Sequence, residues 1–421
     1  MLQDYDKGTP LDSVARDFTR IRELGADTWR GSFGWDDYEP ARGRYDFAWL
    51  HQFVDTAARY GIQLRPYLGY TPAWAANGGS RDGQAWNDPP RNLDDWGAFV
   101  RRIATELRRR PNVRSYEIYN EENVPLWWDG TAEQYAAVLA RGAAEVRAAD
   151  PEAAVLMGGL VWPDAGWVET ACAADGVGQE IAAVPLHSYA ETWTPDSVTV
   201  EQWLGPGYRE QFLPAVRAHC NSRPVWLNEV GYATANGKTE RDQASWWVRA
   251  IATFAADSAV EQVGIYQLHD QQAGAEVIGE AENRRLGLLR LDGTPKLAFH
   301  TVRLLLSLLN TGTICVADDD VRASVTAGTA GALHLHLFER PDARRVLIVW
   351  DERGSPTIEL RLAREGRAAT SYALDGSAAP HAPFDGRVLS NVKLAPREPR
   401  IFAIAPAAQA ASNPPCAGPR P

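Results

Sequence analysis

Two carboxylates at the ends of apolar runs carry the chemistry that this sequence can do. In SYEIYNEEN (115–123), five residues suited to a buried strand run into Asn120, Glu121 and Glu122, and in PVWLNEVGYAT (224–234) an apolar strand ends on Asn228 and Glu229. Strand ends are where barrel enzymes present their reacting groups. Two carboxyl groups facing each other there are the minimum set for cleaving a glycosidic bond, one protonating the departing oxygen and the other attacking the anomeric carbon. Glu after a strand is ordinarily a solvated loop residue. Asn120 directly before Glu121 shifts that reading, because an adjacent amide can hold a sugar hydroxyl in a contact that tightens in the transition state. Glu122 competes for the acid role, and since successive strand residues point to opposite sides, only one of the two faces the axis. A retaining mechanism predicts carboxyl groups about 5 to 5.5 Å apart.

Other residues can orient and charge this pair. Arg30 ends a strand within ADTWRGSFGWDDYEP (26–40), and His187 and Tyr189 end IAAVPLHSY (181–189). Each alone reads as structural, but together at strand ends they supply donors that keep Glu229 ionised. Five loop tryptophans, Trp35, Trp74, Trp127, Trp128 and Trp193, are individually packing residues by default. Five on loops at one face predict that at least two, Trp35 and Trp127 foremost, line an elongated acidic cleft and stack on an oligo- or polysaccharide. A metal-dependent hydrolase would draw on His187, His269, Asp270 and Glu229, but no HxH or HExxH spacing supports it. No metal and no organic cofactor are therefore expected. A carbohydrate-binding barrel that has lost turnover is the rival reading, and a paired acid and nucleophile is what pure binding would not need.

The elements around these residues alternate. A helix from Pro10 carries Val14, Phe18, Ile21 and Leu24 at helical spacing, and strands at 26–30, from Ile62 into the loop that follows, and at 115–119, 153–160, 181–189, 224–229 and 260–270 alternate with further helices. This cadence predicts parallel strands joined by crossovers, an α/β (β/α)8 TIM barrel over 1–305. Only the first few residues remain for a first strand, so the chain is expected to begin inside or just before it, with the barrel truncated there. From about 306 to 405 the texture changes to short alternating strands such as ALHLHLFER and RRVLIVW, predicting a C-terminal antiparallel β-sandwich-like domain. The Ala/Pro-rich stretch 406–421 reads as a disordered tail.

Bulk properties narrow the partners. The chain has 421 residues, a net charge of −11 and no dense Lys/Arg block interleaved with aromatics, which argues against nucleic acid. No apolar run approaches the roughly 20 residues of a membrane span, and no basic-then-apolar leader opens the sequence. A secreted or periplasmic location would need a signal ahead of residue 1; otherwise the reading is cytoplasmic. Cys172, Cys220, Cys315 and Cys416 show no metal-finger spacing, and Cys172 and Cys220 fall in neighbouring predicted helices, so either a disulfide between them or free buried thiols fits.

The motifs WRGSFGWDDYEPARGRYDF (29–47), GYTPAWA (69–75), IYNEEN (118–123), HSY (187–189), WLNEVG (226–231) and LGLLRLDGTPKLAF (286–299) together resemble those of clan A glycoside hydrolases. The likeness covers about residues 10 to 300 and is nearest to the branch of β-xylosidases, α-iduronidases and exopolysaccharide hydrolases. It implies a retaining glycosidase with Glu121 as acid/base and Glu229 as nucleophile, and Asn120, Arg30, His187 and Tyr189 beside them. Two positions depart from the pattern: Glu122 stands where Pro commonly follows the acid/base Glu, and Tyr266 stands where Trp is frequent at the floor of the sugar site.

Overall fold

The computed structural model describes residues 1–78, 84–195, 197–274, 281–312, 314–382 and 384–407. The expected disordered tail lies almost wholly outside these residues. The chain divides into two compact units, Met1–Gly231 with Ala259–Leu268, and Tyr232–Ser258 with His269–Pro421.

The first unit is built on parallel strands. We label them β1 (Thr28–Ser32), β2 (Gln63–Leu68), β3 (Ser115–Ile118), β4 (Ala154–Met157), β5 (Val184–Ser188), β6 (Val225–Val230) and β7 (Val260–Ile265). They form two sheets, β1-β2-β3-β4 and β5-β6-β7. Parallel pairing also continues from β4 toward β5 through a Leu160–Leu186 bridge, and Leu2 bridges both to Arg30 in β1 and to Tyr266 just past β7. Leu2 thus provides the pairing for which the sequence had only its first few residues to spare.

Helices between the strands bury apolar faces at helical spacing. Leu11–Leu24 buries Val14, Phe18, Ile21 and Leu24 and stops at Gly25, whose φ of 93° is left-handed. Ala132–Ala149 starts at a capping box in which the Thr131 side chain and Gln134 satisfy each other's backbone, and it buries Tyr135, Val138, Leu139 and Val146. The disulfide alternative is the one realised: Cys172, in helix Ala165–Ala173, is joined to Cys220, at the end of helix Leu213–His219, with their Cα atoms 5.4 Å apart.

In the second unit, antiparallel strands between Cys315 and Pro406 form a six-stranded and a three-stranded sheet. Leu337, Leu347, Val349 and Phe402 of the larger sheet share one core with Ile358, Leu360, Leu389 and Val392 of the smaller. The alternation seen in the sequence is what allows this, since each strand turns one face inward. Helices Glu240–Ala255 and Leu297–Leu309 group with these strands.

Candidate active site

The site is assembled around a buried guanidinium. Arg30 reaches in from β1 and donates to both carboxylate oxygens of Glu117 (2.9 and 2.6 Å), to Oε1 of Glu229 (2.5 Å) and to Oδ1 of Asn120 (2.7 Å). Its other face lies over the Tyr67 ring, 4.7 Å from the centroid. Burial alone would weaken this cation's hold on its proton, but Glu117 and Glu229 overcome that and keep it charged. Glu117 also accepts from Nδ2 of Asn228 (2.9 Å) and from the Gly159 amide (3.0 Å). Arg30 therefore ties β1 to β3 and β6 through one planar group, a bidentate task that lysine would not perform.

Glu121 and Glu229 converge on His187. Nδ1 of His187 is 2.6 Å from Oε1 of Glu121 and 3.5 Å from Oε2 of Glu229, and one atom from each of the three lies within 4.8 Å of the others. The Tyr189 hydroxyl donates to Oε2 of Glu229 at 2.6 Å. Tyr266 is half-buried with its ring 5.8 Å from that of Tyr189. The two carboxyls are pushed in opposite directions. Burial raises Glu121 and the charge of Glu229 adds to this, outweighing the contact with His187. Burial would raise Glu229 too, but His187, Arg30 and the Tyr189 hydroxyl together hold it below the ordinary carboxylate value.

Backbone irregularities deliver these side chains. Tyr119 and Glu121 both have positive φ (73° and 53°), a region that non-glycine residues occupy at a cost on the order of 1–3 kcal/mol each. The kink breaks strict alternation after β3, so that Asn120 reaches Arg30 while Glu121 reaches His187. Glu122 turns away: it is fully buried, and a Cβ on Gly158 would stand 2.0 Å from its Oε2. Burial, reinforced by the charges of Glu117 and Glu121, pushes its pKa to about 8. In β6 the register against β5 shifts between Leu186/His187 and that against β7 shifts between Leu227/Val230. Asn228 is the extra residue, which is how neighbours Asn228 and Glu229 both address buried partners in the same site. Gly159 leaves room for the His187 ring, since a Cβ there would lie 2.2 Å from Nε2.

The tryptophans separate into two groups. Trp35, expected to line a cleft, is packed among Trp74, Trp96 and Phe99 with its Nε1 donating to Glu39. It is a core residue, because its ring has no open face. Trp128 is buried against Tyr119 and Tyr135, and Trp74 is half-buried with its Nε1 on the Glu39 carbonyl. Trp127 is half-buried beside Tyr70 and Trp86, and Trp193 is exposed with its ring 4.3 Å from Tyr189. Glu117 was missed by sequence reasoning. The available signal was a Glu in the middle of an apolar strand, where burial demands a cation such as Arg30.

Among the described residues, Glu121, His187 and Glu229 have spacing that could hold a metal ion. Their chemistry disfavours one, since Glu229 already accepts from the Arg30 cation and from Tyr189. Asp270, the other acid a metal centre would need, accepts from Lys296 (2.7 Å) and the Gly287 amide (3.0 Å).

Comparison with known proteins supplies context for this geometry. Residues 5–78 match the glycoside hydrolase family 42 model, described as beta-galactosidase. A family 39 glycoside hydrolase from the gut symbiont Bacteroides cellulosilyticus superposes with a TM-score of 0.68 at 18% identity, covering 96% of this chain and 80% of that one. The chain resembles clan A glycoside hydrolases. A monomeric beta-xylosidase from Caulobacter crescentus gives a TM-score of 0.64 at 16% identity over 97% of this chain and 96% of its own. An exo-beta-1,4-mannosidase from an Opitutaceae bacterium gives 0.55 at 20% identity over 73% and 59%. No curated protein sequence matches. At these identities the superpositions establish a shared fold, and the family model covers residues 5–78.

Proposed function

We propose that the protein is a retaining glycosidase that cleaves O-glycosidic bonds of an oligo- or polysaccharide by double displacement, on a (β/α)8 barrel closed through Leu2 and carrying a C-terminal antiparallel β-domain. The observation that carries this reading is the approach of Glu121 and Glu229 to within 4.8 Å at their nearest oxygens with opposite proton affinities. That spacing suits direct attack, whereas inversion needs about 6.5–9.5 Å to admit a water. Glu121, whose hold on a proton is strengthened by burial and by the charge of Glu229, gives its proton to the departing oxygen while the Glu229 carboxylate attacks the anomeric carbon and forms a glycosyl ester. Glu121, now ionised, takes a proton from water, which attacks the same carbon and releases Glu229. Asn120, whose Oδ1 accepts from Arg30, meets a substrate hydroxyl with its amide nitrogen. Trp127, half-buried beside Tyr70, and Trp193, exposed beside Tyr189, stack on the sugar beyond the cleaved bond.

The roles are tested with aryl glycosides of good and poor leaving groups. Glu229→Ala removes turnover of all of them, while Glu121→Ala spares those whose leaving group needs little protonation. Equal loss on both kinds in Glu121→Ala would remove the acid role from Glu121. An inactive sugar-binding protein would show binding without turnover in the parent chain.

A further inference from the structure

Asp4 lies at the mouth of the same site and takes no part in the network described above. Its direction follows from its neighbours. Leu2 pairs in parallel with Arg30 and with Tyr266, and paired residues in parallel strands share a face, so Leu2 is on the inward face of Arg30. Tyr5 is on the opposite face, packed against Phe18, Phe53 and Trp29 with its hydroxyl on Asp17. Period-two alternation then turns Asp4 inward, toward Glu229.

Asp4 keeps an exposed surface, unlike Arg30, Glu117 and Glu229, and its carboxylate makes no hydrogen bond among the described residues; the atoms crowded round it and the charge of Glu229 push its pKa up to about 7, so it is ionised above that pH, where the test is run. It is nonetheless within electrostatic reach of Glu229 and Arg30, and its charge acts on Tyr67, Tyr70 and Tyr266. An open carboxylate whose surroundings are aromatic rings and a reacting glutamate is an acceptor waiting for donors. Sugar hydroxyls are such donors. His187 and Arg30 face Glu121 and Glu229, and the Arg30 guanidinium is already committed to Glu117, Glu229 and Asn120. A negatively charged sugar entering here would meet acceptors and negative charge, with the one guanidinium of the network among the described residues already engaged.

Resting on the glycosidase reading, we infer that Asp4 determines sugar specificity: its carboxylate accepts hydrogen bonds from hydroxyls of a neutral sugar ring bound over Glu229, and it excludes uronic acids. The test uses 4-nitrophenyl β-xyloside, glucoside, galactoside, mannoside and glucuronide with the parent chain, Asp4→Asn and Asp4→Ala. The parent turns over at least one neutral glycoside and discriminates against the glucuronide. On the best neutral substrate both variants lose about 100-fold or more in kcat/KM, the scale expected when a site built to bind hydroxyls loses its acceptor. Monodeoxy versions of that substrate give the readout that a merely structural role would not move. The parent discriminates against the one lacking the contacted hydroxyl, and Asp4→Ala does not. Asp4→Asn keeps the shape, so it reports on charge even if Asp4→Ala folds poorly. Neutral turnover unchanged by Asp4→Asn and Asp4→Ala, or glucuronide cleaved as well as neutral substrates, overturns this inference alone. Failure of the parent chain to cleave any glycoside overturns the glycosidase reading and this inference with it.

Discussion

Replacing Glu122 by Gln should make the stability of the protein less sensitive to pH. Glu122 is wholly buried, and that burial raises its pKa from 4.5 to about 8. Below pH 4.5 the residue is protonated whether the chain is folded or unfolded and contributes no pH dependence. Between 4.5 and about 8 the unfolded chain ionises while the folded one keeps the proton, so the folded state binds more protons and stability falls as pH rises. At about 1.4 kcal/mol per pH unit, moving from pH 5 to pH 7 costs the parent on the order of 2 to 3 kcal/mol through this one group. Gln cannot ionise, so Glu122→Gln escapes that loss. Urea unfolding at both pH values gives four stabilities. The stability of the variant relative to the parent should improve by the stated amount between pH 5 and pH 7, and any fixed effect of the amide cancels. A relative stability that is the same at both pH values would refute the reasoning and mean that Glu122 is ionised in the folded chain.

Other perturbations address the remaining parts. Glu117→Ala leaves Arg30 with an unpaired share of buried charge and should cost about 3–5 kcal/mol in unfolding free energy, with loss of turnover even though residue 117 does not react. Opening the Cys172–Cys220 bridge, which closes a span of 48 residues, should cost about 4 kcal/mol in the chain-entropy description, read as a fall in unfolding midpoint for the double serine variant. The kcat/KM profile should be bell-shaped, falling on the acid side as Glu229 takes up a proton and on the alkaline side as Glu121 loses one. Glu121→Ala assayed on an activated glycoside should lose the alkaline limb and keep the acid one.

The sequence made visible those residues whose placement follows from strand ends. Asn120, Glu121 and Glu229 follow apolar runs, and Arg30, His187 and Tyr189 sit at corresponding positions, so their convergence was legible. What was hidden depends on neighbours in space. Alternation treats Asn228 and Glu229 as pointing apart, and the extra residue that brings both to the site is a property of β6 against β5 and β7. Likewise the turning of Glu121 inward and Glu122 outward is set by two positive φ values that no local motif announces. Trp35 was misplaced because loop position predicts exposure, while its ring fills the space between Trp74, Trp96 and Phe99. Asp4 went unnoticed because a short polar opening segment carries no periodicity from which to read a face.

In the double displacement proposed above, Glu117 would also set the charge balance of the reaction cycle. When Glu229 becomes an ester it gives up its negative charge, and a guanidinium paired with Glu229 alone would then be an isolated cation in a dry interior, at a cost of several kcal/mol. Arg30 is held by both oxygens of Glu117 whatever the state of Glu229, so the inner pair stays neutral from resting enzyme to covalent intermediate and back. The same arrangement limits how strongly Arg30 quenches the attacking carboxylate, because part of its charge is already answered from behind. In that proposed cycle the return step, in which Glu229 leaves as an anion, would be helped by a donor that does not have to move.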